Sequence, residues 1–231
     1  MREIVLDTET TGFDPTTGDR IVEIGAIELL NHLPTGRTYH QYINPERDMP
    51  TAAFEVHGIS EEFLRDKPVF AAIGQAFLDF IGDAKLVIHN AAFDMKFLNF
   101  ELARMGLPQI PWAQAVDTLA IAKQKFPGSP ASLDALCRRF GVDNSKREKH
   151  GALLDSEILA EVYLELIGGR QPGLVLAAAQ AQRRSPGLVD SDWRPRPRSE
   201  PLPPRTTPEE EAAHLAFVTK LGAAAIWLKR Q

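Results

Sequence analysis

The chain has 231 residues, 44% of them hydrophobic and 25% charged, with a formal net charge of −5. No stretch reaches the ~20 apolar residues that a membrane helix needs, and a single cysteine excludes an internal disulfide. Residues 169–231 carry ten basic and six acidic side chains, leaving the first 168 residues at −9. Such an acidic body argues against a protein that grips nucleic acid by bulk electrostatics.

Residues 2–9, 20–29 and 37–44 read as strands, with turns at 14–19 and at 31–36. The opening residues form a strand pattern with no secretory signal, so a reducing cytoplasm is the expected compartment. Helical spacing follows at about 61–66 and 69–81, then a short buried strand at 85–90 and a helix over about 92–105. A short strand at 115–117 leads to helices near 118–125 and 132–140. Cys137 falls on the amphipathic pattern of the second of these and reads as a buried structural thiol. A long helix over 152–167 stops at Gly168-Gly169. Three meandering strands followed by alternating strands and helices predict an α/β fold, a mixed sheet flanked by helices. Beyond it, a Pro- and Arg-rich stretch predicts a disordered linker. Thr207-Pro208-Glu209-Glu210 then restarts a helix with a capping-box pattern.

Acidic residues recur where burial is expected. Asp7 and Glu9 stand two apart at the end of the first strand, so both emerge from one face of the sheet. Asp94 shares a helical face with Leu98, Leu102 and Met105, and Asp155 shares one with Ile158, Leu159, Val162 and Leu166. Each aspartate is aimed at the core, where an unpaired carboxylate is costly and neighbouring ones repel. A hard divalent metal with oxygen ligands is the cheapest remedy. His150 lies five residues before Asp155, about 140° off its helical face, and is expected in the preceding loop, free to swing over the site.

Four such acids and a loop histidine make the sequence recognisable. Asp7-Thr8-Glu9, the Asn90–Asp94 segment and His150-Gly-Ala-Leu-Leu-Asp155 resemble the three motifs of the DEDDh 3′–5′ exonucleases, which have a ribonuclease H-like fold. Val56-His57-Gly58-Ile59 is similar to a segment lining that family's substrate site. The resemblance covers residues 1–168. It implies two-metal hydrolysis of the 3′-terminal phosphodiester, with Asp7, Glu9, Asp155 and Asp94 around two Mg²⁺ or Mn²⁺ ions and His150 as general base. It further implies that Thr10, Thr11, Gly12, His57 and Asn90 contact a single-stranded DNA 3′ end, Gly12 by removing side-chain bulk. Phe13 and Phe93 are each open to stacking on a base or to a place in the core, and core is the preferred reading for Phe93.

The tail suggests partners. Gln171, Leu174 and Leu176 sit in a Gln-x-x-Leu-x-Leu pattern like the peptides that bind bacterial sliding clamps. The terminal helix carries Leu215, Val218, Leu221 and Trp227, apolar residues that a helix on a flexible tether cannot easily bury alone. The expected organisation is an exonuclease domain over 1–169, a clamp-binding peptide over 170–177, a linker over 178–206 and a polymerase-binding segment over 207–231. That order is similar to the proofreading subunits of bacterial replicative polymerases, which dock on the polymerase alpha subunit. The alternatives are an exoribonuclease, a stand-alone repair exonuclease and a non-enzymatic replisome adaptor. No membrane partner is expected.

Overall fold

A computed structural model describes residues 1–145, 147, 149–169 and 206–222. The described residues fall into two units, one from Met1 to the end of the core and one within Val175–Gln231. The core unit is built on a five-stranded sheet in the order β3-β2-β1-β4-β5. Its strands are β1 (Arg2–Thr10), β2 (Ile21–Leu30), β3 (Leu33–Tyr42), β4 (Lys85–Ile88) and β5 (Ala115–Asp117). β1, β2 and β3 pair antiparallel, while β4 runs parallel to both β1 and β5. The mixed sheet thus matches the expectation.

Helices α1 (Thr51–His57), α2 (Glu61–Leu64) and α3 (Phe70–Ile81) lie between β3 and β4, and α4 (Ala91–Arg104) between β4 and β5. After β5 come α5 (Thr118–Lys125), α6 (Leu133–Phe140) and α7 (Ala152–Leu166). The sheet divides the core into two layers. Ile4 and Leu6 of β1 pack with α3 and α4 through Phe77, Phe97, Leu98 and Leu102. Val5, between them, packs on the other side with Leu136, Leu159, Val162 and Leu166. This alternation decides where the next residues of β1 point. Thr8 continues the Ile4–Leu6 face toward α4, and Asp7 and Glu9 continue the Val5 face toward α7.

Two elements differ from expectation. The turn after β2 is only Asn31-His32, both with positive φ (52° and 68°), and β3 starts at Leu33 rather than 37. Positive φ at both central residues is the two-residue hairpin geometry that suits strand twist, and Asn tolerates it. Pro34 lies on this outermost strand, where its missing N–H costs least. The second difference is α1, which no sequence pattern marked. Its N-cap is Pro50, without a side-chain hydrogen bond, and only His57 is buried along it.

The second unit contains α8 (Pro208–Leu221), whose Thr207 and Glu210 form the predicted capping box. Along α8, Leu215 and Leu221 are exposed while Val218 is buried. Trp227, the clamp-type residues Gln171, Leu174 and Leu176, and all but the last residue of the expected linker lie outside the described residues. Among the described residues no helix is long and apolar enough to cross a membrane.

Candidate active site

The two halves of the sheet edge meet at one cavity of about 620 Å³, lined by Asp7, Glu9, Asn90, Asp94, Arg147, His150 and Asp155 among others. That size suits a small-molecule or nucleotide ligand. Glycine at position 25 makes the convergence possible. Asp7 pairs with Gly25 across the β1–β2 ladder. A Cβ on Gly25 would lie 2.1–2.4 Å from the backbone of Ala152 and Leu153, so the first turn of α7 rests directly on the strand. Ser156 Oγ donates to the Gly25 carbonyl (2.9 Å), and the Ala152 amide donates to Glu23 Oε2 (3.1 Å). Asp155 is thereby held against Asp7 and Glu9.

Asp94 arrives from the opposite layer. Asn90 precedes α4 in the left-handed region (φ 66°), and its amide donates to Asp117 Oδ1 at 3.2 Å. A buried fork from Arg20 to Glu101 (2.5 and 3.0 Å) ties α4 to the start of β2. Asp94 is 2% exposed and accepts a 2.7 Å hydrogen bond from Thr8 Oγ1. His150 sits outside α7 in the preceding loop, as expected. Its amide donates to the Val56 carbonyl (3.2 Å), and its side chain is half exposed at the cavity.

The electrostatics are those of a cage of acids. Burial, then repulsion from Asp94, Glu9 and Asp155, holds the Asp7 carboxyl well above the usual carboxylate range. Burial and the charges of Asp155, Glu23 and Asp94 push Glu9 up to about 8. Burial likewise pushes Asp94 up to about 7, against the hydrogen bond from Thr8. Asp155 differs. Burial alone would raise it, but hydrogen bonds from His150 and Arg147 carry it below its ordinary value. Three carboxyls disfavoured as anions, beside one held by a guanidinium, mark a shortage of positive charge. The donor set fits a divalent cation: Glu9, His150 and Asp155 offer ligand atoms all within 4.8 Å of one another, and the rest of the cluster is carboxylate oxygen.

A second cavity adjoins the first across Thr8, Glu9 and Phe93, and is lined by Thr10, Thr11, Gly12, Phe13, Pro50 and His57 among others. Phe13 is 86% exposed at its edge. Phe93, read from sequence as core, is only half buried and borders both cavities while packing on Phe97 (centroids 5.0 Å apart). His57 is buried. Its Nδ1 accepts from the Ile59 amide (3.0 Å), which leaves Nε2 as the protonated nitrogen. A Cβ on Gly12, which lines this cavity, would fall 2.3–2.5 Å from the Asp19 carboxylate, so the glycine also makes room for Asp19. Thr10 and Thr11 are similarly committed to the turn: Thr10 Oγ1 donates to the Gly12 carbonyl (2.6 Å), and the Thr11 amide to the Arg20 carbonyl (2.9 Å).

Sequence reasoning missed Glu23, Arg147 and Asp134. Glu23 looked like one position of a β-branched strand, yet it is 3% exposed, faces Glu9 in the ladder, and accepts from both Ala152 and His40. Arg147 stands in a run of charged residues, Lys146-Arg147-Glu148-Lys149. Its guanidinium reaches Asp155, Asp134 and His150. Cys137 is buried, and burial raises its thiol, which fits a structural role.

Comparison with known proteins identifies the family. The exonuclease family matches residues 4–163. The chain is 61% identical to the DNA polymerase III subunit epsilon of Rickettsia conorii over 174 residues, 74% of this chain and 76% of that protein. It is 44% identical to the DNA polymerase III subunit epsilon of Escherichia coli K12 over 236 aligned positions, 98% of this chain and 97% of that one. Among solved structures, exonuclease X in complex with 5′-overhanging duplex DNA superposes with a TM-score of 0.55 at 24% identity, over 71% of this chain and 90% of that chain, which speaks to fold. The chain belongs to the exonuclease family, among the epsilon subunits of DNA polymerase III.

Proposed function

We propose that this exonuclease removes mispaired nucleotides from the 3′ end of a DNA primer, as the proofreading subunit of a replicative polymerase. The observation that carries this reading is the convergence of Asp7, Glu9, Asp94, Asp155 and His150 on one cavity from four separate segments. Asp7, Glu9 and Asp155 would hold two divalent ions, Mg²⁺ or Mn²⁺, with Asp94 completing the second position. When bound, such ions acidify water and neutralise the charge that builds on the phosphate during an in-line displacement. His150, half exposed at the cavity and free of the helix, takes the proton from the attacking water. The adjoining cavity takes the terminal nucleotide, with His57 in its wall and Phe13 as the stacking surface. Asn90, on the wall of the acid cavity, contacts the strand at the scissile position. Thr10, Thr11 and Gly12 shape the wall of the nucleotide cavity through the turn they build.

The domain is acidic and does not hold DNA by charge alone, so delivery rests on partners. Gln171, Leu174 and Leu176 are assigned to a sliding clamp, and Leu215, Val218, Leu221 and Trp227 to the polymerase alpha subunit. Residues 178–206 serve as the tether that raises effective concentration. The likeness to the Escherichia coli epsilon subunit supports this, because it runs through the tail. The cytoplasm is the matching compartment.

The test compares hydrolysis of a 3′-mismatched DNA primer, a fully paired primer and a structured RNA, with and without clamp and polymerase. Preferential removal of the mismatched deoxynucleotide, stimulated by the partners, is expected. Faster hydrolysis of RNA would reassign the substrate, and absence of stimulation would remove the tail assignments.

A further inference from the structure

Arg147 is the one strong cation inside the acid cluster among the described residues. Its Nε lies 2.5 Å from Asp155 Oδ1 and its Nη2 2.7 Å from Oδ2, so the fork occupies both carboxylate oxygens. Its Nη1 reaches Asp134 Oδ1 at 2.8 Å, and Asn144 Nδ2 donates to that same oxygen at 3.0 Å. The Arg147 and Asp155 side chains are only 8% and 3% exposed, whereas Asp134 is 45% exposed. This is a desolvated, bidentate, charge-assisted pair, the strong form of the interaction, with a second and wetter anchor beside it.

The position conflicts with the acid cage's other occupant. A divalent ion held by this cluster needs an Asp155 oxygen, and the guanidinium lies on both of them. A guanidinium forked onto both oxygens competes with an ion for that carboxylate. We propose that Arg147 is the chain's own counter-cation, holding Asp155 while no divalent ion is bound and withdrawing to Asp134 when one binds. The proposal rests on the metal-site reading above. It makes Arg147 a positioning residue that sets metal affinity by competition.

Calorimetric titration of Mn²⁺ into metal-free full-length protein and its Arg147→Gln and Arg147→Lys variants tests this. Arg147→Gln is expected to bind Mn²⁺ about tenfold more tightly than wild type, because one buried charge-assisted pair no longer has to be broken. Arg147→Lys, which keeps charge but loses the fork, should fall between them. Equal or weaker binding by Arg147→Gln, with wild type still binding, overturns the proposal and leaves the metal site standing. No binding by wild type overturns the metal site and the proposal with it. If Arg147→Gln does not fold, the Arg147 Nε–H resonance of wild type during Mg²⁺ titration decides. A shift at saturation supports withdrawal, and an unmoved signal overturns it.

Discussion

Asp7 shows how a side chain costs stability and enables function at once. It is buried against three other acids, so its charge is disfavoured in the fold. Asp7→Asn therefore removes repulsion without removing volume. Turnover should fall by at least ~10²-fold, while the metal-free protein gains ~2–4 °C in Tm, what about 1 kcal/mol does for a chain of this size. Thermal melts without metal, alongside nuclease assays, check both halves, and a lower Tm would contradict the repulsion argument. His150→Ala acts on the proton transfer instead, with turnover expected to drop ~10²–10⁴-fold and calorimetric metal affinity to fall much less. A collapse of metal affinity in that variant would make His150 chiefly a ligand. The aspartates were legible because each sits on an apolar stripe, where an acid stands out. Arg147 was not, because an arginine in a run of charged loop residues has no pattern to violate, and its burial is set by contacts with Asp134 and Asp155 that no periodicity announces.

At the scale of elements, β1 and α7 carry the site, and Gly25 is the joint between them. Gly25→Ala would place a methyl group inside the van der Waals envelope of the Ala152–Leu153 backbone, and backbone cannot yield as a flexible side chain does. A loss of ~1–3 kcal/mol in stability is expected from such overpacking. A fall in activity should accompany it, since α7 must lift and take Asp155 along. Chemical denaturation and nuclease assays on the variant check this, and unchanged activity would show that α7 is positioned by something else. β1 was readable as a short apolar run, and α4 and α7 because each has a periodic apolar face. α1 was not. Its outward residues are small or exposed, its cap is a proline, and what fixes it is His57 at its end and the contact of His150 with Val56. The β2–β3 turn was drawn too long because Pro34 and Gly36 read as turn residues, although an edge strand tolerates both.

The whole molecule is an acidic domain whose internal acids await positive charge. Glu9 at about 8 and Asp94 at about 7 titrate far above their ordinary 4.5 and 3.8, so the folded state binds more protons than the unfolded one between those limits. Stability then falls as pH rises through that window. The metal-free protein is expected to lose denaturation midpoint between pH 5 and 8, and Mg²⁺ should restore it most at the upper end. Equilibrium denaturation across that range, with and without Mg²⁺, measures the effect, and a flat metal-free profile would contradict it.

The central claim is that this cage of acids performs metal-dependent hydrolysis from the 3′ end. Single-turnover digestion of a 5′-labelled, 3′-mismatched primer tests it most directly, with wild type and Asp7→Asn each run with Mg²⁺ and with a chelator. Stepwise shortening from the 3′ end by wild type in Mg²⁺ alone is predicted, with the other three reactions inert. Wild-type turnover by Asp7→Asn, or digestion by wild type in the presence of chelator, would contradict the account.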